Sequence, residues 1–241
     1  MTGKEQDKLT YNEVRYRQGL PYEIKIRMSE TRLREFIGYY GEDGVVVSFS
    51  GGLDSTFALA FVRERYPNVK AISVPAIECL QNIKLIKKTE NVQMVPPRYS
   101  QKEIVKKFGF PVVSKKTAKS LQALQNPSEK NEKIRNLALT GITSKGRQTK
   151  TYKLAEKWRF LIDAPFKISN KCCYYMKETP IQNWCKEHGY ASIIATTVEE
   201  SKSRLDGYCK RGGVQQFQRT GRQRAFLVLD SPGYSPLHSR A

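Results

Sequence analysis

Apolar and polar positions along the chain fall into short runs of two kinds. Val45 to Val47 is a brief apolar run, the pattern of a buried strand, and Val69 to Val74, Asn91 to Val95 and Ala191 to Thr196 read as further strands. Between them apolar residues recur at helix-face spacing. Leu33, Phe36, Ile37 and Tyr40 precede the first run, and Phe57, Ala58, Ala60, Phe61 and Val62 follow it. The first helix is expected from about Ser29, as N-cap, to Tyr40. Others are expected over Ile77 to Lys88 and over Ser100 to Phe108, the latter stopped by Gly109. A later helix is expected to run through Trp184 and Cys185 to Gly189, with Pro180 interrupting or restarting it. Strands alternating with helices predict an α/β fold: a parallel sheet flanked by helices, with ligand at the carboxyl ends of its strands. Residues 1–20 are polar and expected to be loosely ordered. The boundaries that follow are an N-terminal extension, 1–28, an α/β domain, 29–213, holding a basic insertion at 115–157, and a tail, 214–241.

One turn in this pattern carries candidate chemistry. Val47-Ser-Phe-Ser-Gly-Gly-Leu-Asp-Ser-Thr56 leads from the first strand straight into a helix. Gly51 and Gly52 let the backbone turn tightly and approach a ligand. Amides at the helix start, with the positive end of its dipole, favour an anion, and the hydroxyls of Ser50, Ser55 and Thr56 can add bonds to phosphate oxygens. The Walker pattern G-x-x-x-x-G-K-[ST] and the dinucleotide pattern G-x-G-x-x-G are both missing. A tight turn with an Asp or Ser cap is the alternative.

Composition narrows the partners. The 241 residues are 39% hydrophobic and 27% charged, values of a globular chain, and no apolar run is long enough to span a bilayer. With no signal pattern at the N-terminus, the cytoplasm is the expected location and no membrane partner is expected. Five cysteines argue against a disulfide framework, and two histidines leave little for histidine-rich zinc sites or Ser-His-Asp catalysis. The net charge of +19 favours polyanionic partners or anionic substrates.

Two further segments stand out. Residues 115–160 carry twelve Lys and Arg against three Asp and Glu, with Tyr152, Trp158 and Phe160 interleaved, and Thr140 to Lys150 has no core pattern. This stretch fits nucleic acid, by tracking phosphates and stacking on bases; it also fits a solvated linker with Trp158 and Phe160 in the core. Lys171-Cys-Cys173 places two thiols beside Lys171 and Lys177, where thiolates should be stabilised. Such a pair can hold half of an iron–sulfur cluster if two more thiols arrive, or serve as two small hydrophobes.

Ser50-Gly-Gly-Leu-Asp-Ser55 resembles S-G-G-x-D-S, the PP-loop of the adenine nucleotide alpha-hydrolase superfamily. With Leu20-Pro-Tyr-Glu-Ile-Lys-Ile26, Phe110-Pro-Val-Val-Ser-Lys115, Leu161-Ile-Asp-Ala-Pro-Phe-Lys-Ile-Ser169, Lys171-Cys-Cys173 and Glu199-Glu-Ser-Lys-Ser-Arg204, it makes the chain similar to the phosphoadenosine phosphosulfate (PAPS) reductase family. The resemblance extends to members often found in phages and prophages. The similarity covers about Leu20 to Gly213. It implies a Rossmann-like (HUP-type) sheet and an adenine nucleotide, ATP or PAPS, on Ser50, Gly51, Gly52, Asp54, Ser55 and Thr56, with Mg²⁺. Glu78, Glu200 and Ser201 fall in family segments near the nucleotide. Asp54 and Arg204 are the candidate catalytic residues; Arg204 offers a fork to phosphate or sulfate, or forms a surface ion pair. By the same resemblance Cys172 and Cys173 are candidate ligands of a [4Fe–4S] cluster. The chain also departs from the family: Pro75-Ala-Ile-Glu-Cys79 keeps Glu78 but lacks the family's glycine, and Ala195 replaces another.

From Val214 the resemblance stops. The codons of Val214 to Ala241, read one base later, permit C-N-S-F and then F-W-T-R-Q-D-I-L-R-Y-I, matching the family's G-C-N-x-F and F-W-T-x-Q-D-I-L-x-Y-I. The last 28 residues are therefore expected to be a frameshift product that has lost a family cysteine and the segment closing over substrate. The expected activity is chemistry at the α-phosphate of ATP, adenylyl transfer with release of pyrophosphate. The alternatives are a reductase of adenylylated sulfate, with a thiol reductant as partner, and a nucleic-acid modification protein using 115–160.

Overall fold

The computed structural model describes residues 9–76, 78–196, 202–210 and 222–223. The chain divides into two compact units, Met1–Val95 with Ile181–Ala241, and Pro96–Pro180.

The first unit is built on a parallel sheet. Its strands are β1 (Val45–Ser48), β2 (Lys70–Ser73), β3 (Val92–Met94), β4 (Ala191–Ile194) and the two-residue β5 (Arg222–Gln223), in the order β3-β2-β1-β4-β5. Every pairing is parallel, with Val47 opposite Ala71 on one side and Ile193 on the other. The chain thus steps from β1 outward through β2 to β3, then returns to the far side of β1 as β4. The Val45 to Val47 run of β1 fits a strand buried on both its faces. Val45 and Val47 pack on one face with Leu33, Phe36 and Ile37 of α2 (Tyr22–Tyr40) and Leu59, Phe61 and Val62 of α3 (Leu53–Arg63). Val46 packs on the other with Ile72, Cys185 and Trp184, the last two from α8 (Thr179–His188). Alternating side chains along one strand therefore serve two layers of helix. The result is an α/β, Rossmann-like sheet flanked by helices.

Several elements differ from the sequence pattern. α2 begins at Tyr22, seven residues before Ser29. Pro21 precedes it with φ −52°, preset for a helix start, and the Ser29 hydroxyl turns back to donate to Lys25 O (2.9 Å) instead of capping. Within 1–20, where loose order was expected, α1 (Tyr11–Gln18) forms on a capping box. Thr10 Oγ1 accepts from Glu13 N and the Glu13 carboxylate accepts from Thr10 N. Its Val14 is buried against Tyr208 and Cys209 of α9 (Lys202–Lys210). β5 lies in the tail, where no strand pattern was read. The rest of 211–241 lies outside the described residues.

The second unit holds α5 (Gln101–Phe108), α6 (Lys115–Gln125) and α7 (Glu132–Thr140), with 3-10 turns at Glu129–Asn131 and Glu156–Asp163. It is wider than the 115–157 insertion and has its own core of Ala118, Leu121, Leu154, Leu161 and Ile168. Gln125 ties that core together: its carboxamide accepts from Ile168 N (2.9 Å) and donates to Leu161 O and Phe166 O. Trp158 packs on this core, whereas Phe160 is 68% exposed, so only one of the two aromatics expected in the core is there. Thr140 to Lys150, which lacks a core pattern, closes on itself through an antiparallel bridge between Ile142 and Gln148, with Thr149 N donating to Gly141 O (2.7 Å). A π-turn at Tyr174–Glu178 runs into α8, which starts beside Pro180.

Candidate functional site

The order of the sheet sets the place for a ligand. In open parallel sheets ligands bind beyond the carboxyl ends of strands where successive crossovers diverge to opposite sides. Here that point lies between β1 and β4, joined by register and by a hydrogen bond between Ser48 and Ser192 hydroxyls (2.9 Å). The segment leaving β1 at this point is Ser50 to Thr56. The segment leaving β4 leads to α9, whose first turn carries the half-buried Arg204. Glu78, also half-buried, lies in the turn from β2 to α4 (Leu80–Lys88), at the carboxyl end of the neighbouring strand. Glu200 and Ser201 lie outside the described residues. Cys172 and Cys173 belong to the second unit.

The glycine loop is built from inside. Ser55 is buried and its hydroxyl is fully used: it donates to Gly52 O (2.9 Å), accepts from Ser50 N (3.1 Å) and meets the Ser50 hydroxyl (3.1 Å). Ser50 Oγ in turn accepts from Gly52 N (3.4 Å), and Thr56 Oγ1 donates to Gly52 O (3.0 Å). These hydroxyls hold the loop's shape, where the sequence suggested direct bonds to phosphate. The groups left to meet an anion are the amides of the first turn of α3. They precede its first helical hydrogen bond, from Thr56 N to Gly52 O (2.9 Å). Asp54 sits in that turn, half-buried.

The two glycines divide the labour. Gly51 has φ +72°, and a Cβ there would lie 2.7 Å from the backbone oxygen of Asn82 and 3.0 Å from its Cα. Gly52 has an ordinary φ of −77° and room for a Cβ, the nearest atom being Ser50 Oγ at 3.4 Å. Glycine is therefore required at Gly51, and the partner demanding it is α4, with Asn82 pressed onto the loop. Sequence reading missed Asn82, because nothing local links it to a loop thirty residues earlier.

In the second unit the Cys172 and Cys173 sulfurs are 3.9 Å apart, and both thiols are free. Burial and the adjacent Cys173 push the Cys172 thiol up, and the nearby Lys115 only partly offsets this. The stabilised thiolate expected beside Lys171 and Lys177 is thus corrected for Cys172: desolvation and the adjacent Cys173 outweigh Lys115. Of the remaining cysteines, Cys185 and Cys209 are buried in apolar clusters and Cys79 is exposed before α4. Among the described residues no three His, Cys, Asp or Glu side chains group as a metal site. Among those residues, too, no helix is long and apolar enough to cross a membrane.

Compared with protein-family models and with curated proteins, the chain matches none.

Proposed function

We propose that this chain is a PP-loop enzyme of the kind found in the PAPS reductase family, binding ATP at Ser50 to Thr56 and transferring its adenylyl group. The observation that carries this reading is the internally braced Ser50–Thr56 loop at the switch point of a parallel sheet, its first-turn amides left for an anion. In the reaction an acceptor nucleophile attacks the α-phosphorus, the bond to the bridging oxygen of the β-phosphate breaks, and pyrophosphate leaves. The amides and the positive end of α3 stabilise charge on the departing pyrophosphate, and Ser50 and Ser55 keep them aimed. Arg204, from the segment after β4, supplies a guanidinium fork to phosphate oxygens. Asp54 provides the hard oxygen that suits Mg²⁺, an ion commonly held by one or two carboxylates plus the substrate's own phosphates; bound there it would neutralise leaving-group charge. Titration calorimetry with ATP tests this: heat of binding should be present for the unaltered chain and lost for Ser55→Ala.

The second reading is a thiol-dependent reductase of PAPS, favoured by the reduced pair Cys172 and Cys173 at 3.9 Å. A [4Fe–4S] cluster takes four thiolates. The described residues gather only these two, so the cluster has no part in the proposed chemistry. Sulfite release from PAPS with a dithiol donor, abolished by Cys173→Ser, is the result this reading requires.

A further inference from the structure

The basic charge is concentrated in the second unit. Pro96–Pro180 holds nineteen Lys and Arg against six Asp and Glu, a net +13 of the chain's +19. The loop chemistry proposed above uses none of it. Part of this charge lines a concavity of about 560 Å³, within the range of small-ligand sites.

One wall of the concavity is a single stripe of α6. Lys115, Lys119, Gln122 and Asn126 follow the 4-3-4 spacing that puts side chains on one helix face, while Ala118 and Leu121 are buried on the other. A polar stripe of this kind normally faces open water. Here it borders an open hollow together with Asn131 near the start of α7 and with Asn170, Lys171 and Tyr174 beside the cysteine pair. Three ammonium groups therefore share one hollow with a single carboxylate, Glu178, and among the described residues none of the three lysines forms an ion pair. Lys171 Nζ lies 5.5 Å from the centre of the Tyr174 ring. The repulsion among these cations is relieved by an anion, which identifies the charge of the missing partner.

The other lining groups narrow its chemistry. Asn131 spends its carboxamide on Ser128 N, Arg135 and Asn126 O, and Asn126 donates to Gln122 O. Gln122 and Asn170 offer paired donor and acceptor, the complement of a base edge, and Tyr174, 40% exposed, offers a ring face for stacking. We infer that this hollow binds a nucleotidyl unit, its phosphate held by Lys115, Lys119 and Lys171 and its base read by the carboxamides of Gln122 and Asn170. The unit comes either from a single strand of nucleic acid or from a free nucleotide. The inference is independent of what the glycine loop binds.

The test is anisotropy of a fluorescein-labelled single-stranded DNA octamer against the full chain over a salt series. Each phosphate neutralised contributes about −0.7 to the slope of log K against log salt for single strands. Lys115→Ala with Lys119→Ala should therefore flatten the slope by up to about 0.7, the share of the one phosphate they hold with Lys171, and Lys171→Ala, which leaves α6 intact, by a smaller amount. Lys130→Ala with Lys133→Ala, an equal loss of charge at exposed positions outside the hollow, should leave it unchanged. Ser55→Ala should also leave octamer binding unchanged. Excess AMP that displaces the octamer identifies a free nucleotide as the occupant, and retention of the octamer identifies a strand; either sustains the site. No binding by the unaltered chain, equal flattening by both lysine pairs, or loss with Ser55→Ala overturns it.

Discussion

Replacing Gly51 with alanine tests the loop's construction at its tightest point. The left-handed φ of +72° costs a residue bearing a Cβ about 1–2 kcal/mol. The added methyl would also lie 2.7 Å from a backbone oxygen of α4, an overpacking of about 1–3 kcal/mol because backbone gives way less easily than a side chain. Loss of chain entropy in the unfolded state returns about 0.4–1 kcal/mol. The net destabilisation is about 2–3 kcal/mol, which for a chain of this length lowers Tm by roughly 4–12 °C. Gly189→Ala separates the two causes. Gly189 has nearly the same φ, +74°, with nothing within 4 Å of its added Cβ. It should therefore show the conformational cost alone, about 1 kcal/mol or less. Thermal melts by circular dichroism give the stabilities, and calorimetry at a temperature where both variants are folded gives ATP affinity. Gly51→Ala should lose affinity while Gly189→Ala keeps it. Equal Tm values for the two variants would refute the contact with Asn82 as the reason for the glycine.

The remaining predictions concern single groups. Ser55→Ala leaves the Ser50 amide without its partner and takes one of three bonds from Gly52 O, and should cost about 1–3 kcal/mol of stability, whereas Thr56→Val removes only a bond back onto its own helix and should cost less. Paired denaturant titrations decide between them. Gly109→Ala, at φ +91° with Lys167 O 2.3 Å from the added Cβ, should be the most damaging glycine substitution in the second unit, read as lost expression or a lowered melt. The Glu103 carboxyl is held below its ordinary value of 4.5, first by the Ser100 amide and then by its hydroxyl. A depressed folded value means that this cap stabilises above pH 4.5 and is lost as pH falls through the lower folded value. Glu103→Gln should therefore flatten the acid side of the Tm–pH curve and leave less to lose there; an unchanged curve counts against the cap.

What the sequence disclosed was contiguous in the chain. β1, the glycine loop and α3 form one unbroken stretch, and the Val run, the glycine pair and the helical spacing each speak for themselves. The same holds for β2 and β4, whose runs mark largely buried strands, while β3 is found as an edge strand with Gln93 and Met94 exposed. The losses came where distance or competition decides. Ser29 has the side chain of a cap but lies seven residues inside α2, because Pro21 had already started the helix. The Ser50, Ser55 and Thr56 hydroxyls suggested phosphate ligands, yet their bonds close within the loop, a matter of three-dimensional reach. The Cys172 thiol rises because burial, invisible in Lys171-Cys-Cys173, and the adjacent Cys173 outweigh Lys115. The hollow beside α6 needed segments near residues 131 and 171 brought to one helix face, which no local pattern records.

The central claim is that Ser50 to Thr56 holds ATP. Titration calorimetry with ATP and with PAPS, each with Mg²⁺, against the unaltered chain and Ser55→Ala, tests it most directly. The account predicts tighter binding of ATP than of PAPS and its loss with Ser55→Ala. Preference for PAPS, absence of ATP binding, or ATP affinity indifferent to Ser55→Ala would contradict it.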